Sequence, residues 1–73
     1  MAQEKVEVPI TGKIVSVNVS EGSTVSEGDV ICMLESMKME NPIMAMAGGT
    51  VTEVKVSAGQ LVQAGDLIAI IEY

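Results

Sequence analysis

Histidine, phenylalanine and tryptophan are absent from this 73-residue chain; Tyr73 is its single aromatic residue and Cys32 its single cysteine. Without histidine the commonest general base and metal ligand is missing. One cysteine supplies neither a disulfide nor a zinc cluster. Cys32 lies inside the apolar run 30–34, where it reads as a small buried hydrophobe rather than a nucleophile. Long hydrophobic runs are missing too. The longest have about five residues against the roughly 18 of a membrane span, which predicts no direct membrane insertion. The residues at hand carry no signal-peptide pattern, and a reducing cytoplasm is the expected location. Basic residues are scarce: four lysines face ten acidic residues, for a net charge of −6. Such a surface repels phosphate backbones, so nucleic acid is not expected as a partner. A chain this short buries only about 60% of its unfolded surface and leaves little room for an enclosed cleft. We therefore expect one domain over residues 1–73, and not an enzyme in its own right.

What is present is a repeat. Shifted by 37 positions, residues 12–35 fall on 49–72, and ten of the 24 pairs are identical: Gly12/Gly49, Val17/Val54, Val19/Val56, Ser20/Ser57, Gly22/Gly59, Val25/Val62, Gly28/Gly65, Asp29/Asp66, Ile31/Ile68 and Glu35/Glu72. Internal repetition is a signature of a duplicated supersecondary unit. Each unit reads as short strands. Val15, Val17 and Val19 alternate with polar residues at period two, turns are expected at Gly22 and Gly28, and a strand over 30–34 follows. Matching glycines are attributed to turns that need positive φ. No helical periodicity is sustained and β-branched residues dominate. Two such halves bury their Val/Ile faces against each other. The expected fold is all-β, a flattened barrel-sandwich hybrid of two antiparallel sheets related by a pseudo-two-fold axis.

Between the halves runs a segment, 37–48, with no counterpart after the second unit. It begins Glu35-Ser36-Met37-Lys38-Met39-Glu40, and a stretch over 42–46 leads out of it. A β-hairpin with Lys38 at its tip is the economical reading, with the chain termini towards the opposite end. A lysine in a turn is ordinarily a solvated charge. Here Met37 and Met39 flank it, where turn chemistry favours Gly, Asn, Asp or Ser. In extended geometry the two methionines would share one face and Lys38 the other, with Met39 the more buried of the pair. Adaptable thioethers beside an amine suit reading by a partner that modifies the lysine.

These motifs resemble the biotinyl/lipoyl attachment family along nearly the whole chain. Residues 9–14, Pro-Ile-Thr-Gly-Lys-Ile, are similar to the family's opening. Residues 19–22 and 25–29 resemble its paired glycine turns, and Glu-Ser-Met-Lys-Met-Glu at 35–40 resembles its biotin-acceptor motif. The resemblance implies that a biotin protein ligase joins biotin covalently to Lys38, with Met37 and Met39 as ligase-recognition contacts. It further implies a biotin carboxyl carrier that shuttles a carboxyl group between biotin carboxylase and carboxyltransferase or decarboxylase sites. The cofactor would supply the hard chemistry and the protein the positioning. Ser36 departs from the commoner alanine, a small-for-small exchange expected to be tolerated. The short 19–30 interval leaves no room for a protruding thumb, so the likeness is to thumbless biotinyl domains. No Pro/Ala-rich linker is among these residues, which leaves a free-standing protein and an excised domain both open. Two alternatives remain: a lipoyl carrier, whose acceptor lysine usually follows Asp and precedes Ala, and an unmodified barrel-sandwich adaptor.

Overall fold

A computed structural model describes residues 2–73 as eight strands: β1 Gln3–Glu7, β2 Gly12–Val17, β3 Thr24–Val25, β4 Val30–Ser36, β5 Met39–Met44, β6 Gly49–Val54, β7 Leu61–Val62 and β8 Leu67–Glu72. They form two four-stranded antiparallel sheets, ordered β1-β8-β6-β3 and β5-β4-β2-β7. The all-β two-sheet expectation holds. Between the sheets lies one core cluster, centred on Ile14, Ile31, Leu34, Val51, Ile68 and Ile71, all fully buried.

The duplication is carried into the backbone. Gly22 donates to the Val51 carbonyl at 2.7 Å, and Gly59 donates to that of Ile14 at 2.7 Å. Asp29 Oδ2 accepts from Ser26 N at 2.8 Å, as Asp66 Oδ2 does from Gln63 N. The short strand of each half pairs with the long strand of the other, β3 with β6 and β7 with β2, so the halves interlock.

Three sequence expectations need correction. Residues 39–48 of the joining segment do have a counterpart, upstream rather than downstream: the same 37-residue shift lays β5 on β1, and leaves the Met37-Lys38 loop without an equivalent among the described residues. Val6 and Ile43 are buried equivalents, and so are Val8 and Ala45. Val8 N donates to Asp66 O and Ala45 N to Asp29 O, each at 2.8 Å. Second, Gly12 and Gly49 are not turn residues. Each lies in a strand where an added Cβ would collide with a backbone carbonyl, of Glu35 and Glu72 respectively. They are glycine because of that close approach. Third, Val15 does not share the inner face with Val17. The register shifts between Ile14 and Ser16, a bulge that turns Ile14 into the core and leaves Val15 40% exposed. The second half repeats the shift between Val51 and Glu53.

Candidate functional site

Strands β4 and β5 pair in register from Cys32↔Ile43 to Ser36↔Met39, leaving Met37 and Lys38 as a two-residue loop. Both hold positive φ, 55° and 66°. That is the requirement of a type I′ turn, whose twist matches the flanking strands and which ordinarily takes Asn-Gly or Gly-Gly. Lys38 is therefore at the tip, as expected, but the extended arrangement with opposite faces is not adopted. Met37 is 86% exposed and Met39 66%. Met39 is the more buried, yet neither belongs to the core.

Below the tip the hairpin is anchored. Ser36 is buried, and its hydroxyl donates to the Thr11 carbonyl at 2.9 Å, tying the last residue of β4 to the β1–β2 connection. Asn41 Nδ2 donates to the Met39 carbonyl at 3.3 Å on the other strand. In register, Glu35 sits between Glu40 and Lys13, so two carboxylates and a second ammonium lie just behind the tip. Among the described residues the one ion pair joins Lys55 and Glu53 at 2.7 Å. The Lys38 amine is thus free of any salt bridge. Beside the tip lies an open groove of about 640 Å³, formed by Thr11, Gly12, Lys13, Glu35, Ser36, Met37 and β7.

The opposite end of the molecule shows what the tip would be without its turn. Ala2 and Tyr73, the equivalents of Met39 and Ser36, exchange backbone hydrogen bonds of 2.7 and 2.9 Å. The termini pair there, and the body extends 36 Å along its longest axis. Cys32 is fully buried as a free thiol, and burial pushes its pKa up. It lies in the core, not at the tip. No group of three or more metal-ligating side chains occurs among the described residues. None of their elements is a helix long and apolar enough to cross a membrane.

Sequence reasoning missed the Ser36 anchor, the strained turn and the groove. The anchor had a signal, since a polar residue stands at the end of an apolar strand. The groove had none, because it depends on β7 reaching β2 from the other half.

The molecule is thus an interlocked two-sheet β domain that holds one lysine on a strained hairpin, remote from its paired termini. The chain matches the family described as "biotin-requiring enzyme" over residues 4–71, and it belongs to that biotin/lipoyl family. It is 50% identical over 48 residues to the biotinylated protein TB7.3 homolog of Mycobacterium leprae, covering 66% of this chain and 68% of the relative. It is 56% identical over 39 residues to the glutaconyl-CoA decarboxylase subunit gamma of Acidaminococcus fermentans, covering 53% and 27%. With the biotin-dependent acyl-coenzyme A carboxylase alpha3 subunit of M. leprae it shares 46% over 48 residues, 66% of this chain but 8% of that subunit. The chain thus spans 8% of that carboxylase subunit and 27% of the decarboxylase subunit. Among solved structures, the urea carboxylase of Kluyveromyces lactis superposes with a TM-score of 0.90 at 30% identity, covering 99% of this chain and 6% of that one. A single-chain, multi-domain long-chain acyl-CoA carboxylase superposes at 0.87 and 28%, covering 93% and 7%.

Proposed function

We propose that residues 1–73 form one biotin carboxyl carrier domain, with biotin joined as an amide to Lys38 Nζ. The observation that carries this reading is the placement of Lys38: an ammonium without a salt-bridge partner, on a positive-φ two-residue turn, between two exposed methionines. The family, and the relatives named as biotinylated proteins, support biotin as the group attached. Once bound, biotin supplies a ureido nitrogen that takes up and gives back a carboxyl group. The chain's own residues do something different. Ser36 and Asn41 fix the hairpin, and the positive-φ turn holds the amine clear of the sheet. Met37 and Met39 offer deformable apolar contacts to a biotin protein ligase.

On this reading the domain is itself non-catalytic and works in a reducing cytoplasm. It visits the biotin carboxylase and the carboxyltransferase or decarboxylase of its complex in turn. A rigid body with a mobile arm keeps the carried group at high effective concentration near both sites. Lys38→Arg keeps the charge and removes the acylatable amine. After coexpression with a biotin ligase, this variant is expected to show no biotin adduct by intact mass and no streptavidin capture. Its circular dichroism and melting temperature should match the parent, since an exposed tip residue carries little stability. Adducts on Lys5, Lys13 or Lys55 at parental levels would refute the site.

A further inference from the structure

The pseudo-two-fold axis supplies an internal control for surface residues. Where an exposed strand position carries different side chains in the two halves, the strand pairing they share does not dictate the choice. At the two ends of the molecule Gly12 and Gly49 recur, as do Glu35 and Glu72, and the buried pair Val62 and Val25. Leu61 does not. It is 78% exposed, whereas its equivalent, Thr24, fills the same edge-strand position with a polar side chain. Thr24 pairs with Thr50 and Leu61 with Lys13, so the strand pairing itself has no need of leucine. Leu61 lies at the Lys38 end and lines the groove together with Met37, Thr11, Lys13, Glu35 and Gln63. Its volume of about 640 Å³ falls within the range of small-molecule sites.

We propose that this groove is the resting berth of the group carried on Lys38, a small bicyclic ligand with an apolar ring and acyl chain and a hydrogen-bonding ureido head. The inference rests on the biotinyl reading of Lys38. The groove has both kinds of chemistry: Leu61 and Met37 for the apolar part, and Thr11, Lys13, Glu35 and Gln63 for the polar part. Met37 immediately precedes Lys38, so the tether delivers its own group to the groove without a bimolecular search. An open groove of this kind favours a retracted arm while leaving it free to exchange with an extended one.

The experiment compares isotope-labelled protein before and after biotinylation, with loading first verified by intact mass. A protein that takes no adduct on Lys38 refutes the carrier reading itself. In the loaded protein, the berth predicts amide shift changes at Leu61, Val62 and Gln63 as well as at 36–39, and nuclear Overhauser contacts between Leu61 methyls and the biotin ring. The Leu61→Thr variant installs the residue that the other half tolerates, so the fold is kept. It should lose those contacts and be captured faster by streptavidin, about two-fold if the arm is berthed half of the time. Shift changes confined to residues 36–39, with equal capture rates for parent and variant, would overturn the proposal. So would a variant with unchanged arm signals but weakened binding to a biotin carboxylase, since the groove would then be a protein-docking surface.

Discussion

Met37 and Lys38 hold φ values of 55° and 66° in a loop where glycine or asparagine would rest with less strain. Non-glycine residues in the left-handed region cost of order 1 kcal/mol each, and such strain persists where the surroundings enforce it. Met37→Asn is therefore expected to raise stability by about 0.5 kcal/mol, read from the urea midpoint, while slowing modification of Lys38. Ser36→Ala removes the donor to Thr11 and should cost about 1 kcal/mol, with faster amide exchange at Met39. The tip position of Lys38 was legible in the sequence because a duplicated fold marked the segment that joins its halves. The turn type was not. Met-Lys is a poor I′ sequence, and only the Ser36↔Met39 register forces that geometry upon it.

Strand positions came through in the sequence because Val and Ile cluster between glycine turns, but which side chains face inward did not. Bulges at Ile14/Ser16 and at Val51/Glu53 insert a residue and shift the alternation, and period-two reasoning has no means of seeing them. The glycines were legible as architecture and misread in mechanism at one pair. Gly28 and Gly65, with φ of 91° and 94°, do need the left-handed region. Gly28→Val and Gly65→Val should each lose about 1 kcal/mol or more, and by similar amounts because the turns are equivalent. Gly12 and Gly49 need space. Gly49→Ala forces Cβ against the Glu72 carbonyl and should cost about 1–3 kcal/mol by overpacking, measured by thermal or urea unfolding. If Gly49→Ala proved neutral, the close approach of β6 to β8 would not be a constraint on the fold.

Taken whole, the molecule is two halves that lend each other two strands, β1 and β3 to the sheet of β6 and β8, and β5 and β7 to that of β2 and β4. A peptide of residues 1–37 lacks the partners of β3 and loses β7 from its own sheet, so it should show no β signature in circular dichroism when alone. The buried thiol gives the stability a pH dependence. Burial raises the Cys32 pKa in the folded chain, so as pH climbs past the ordinary thiol value of about 8.5 the unfolded chain releases its proton first. The thiol therefore weakens the native state only on the alkaline side. Lys55, its pKa raised by a hydrogen bond and charge pairing with Glu53, acts in the same direction. The duplication itself was readable from 12–35 against 49–72, but its extension to β1 and β5 was not, since those strands share a burial pattern rather than residues. The fold would display a lysine equally well for biotin or for lipoate, and on the proposed reading the choice between them falls to the tip residues.

The most direct test is competitive loading of the unaltered chain with a biotin ligase, a lipoate ligase and both cofactors together, followed by peptide mapping of the adduct. We expect biotin on Lys38 and no lipoyl adduct, with Met37→Asp/Met39→Ala sharply reducing that biotinylation. Efficient lipoylation of Lys38 with biotin ignored would contradict the account.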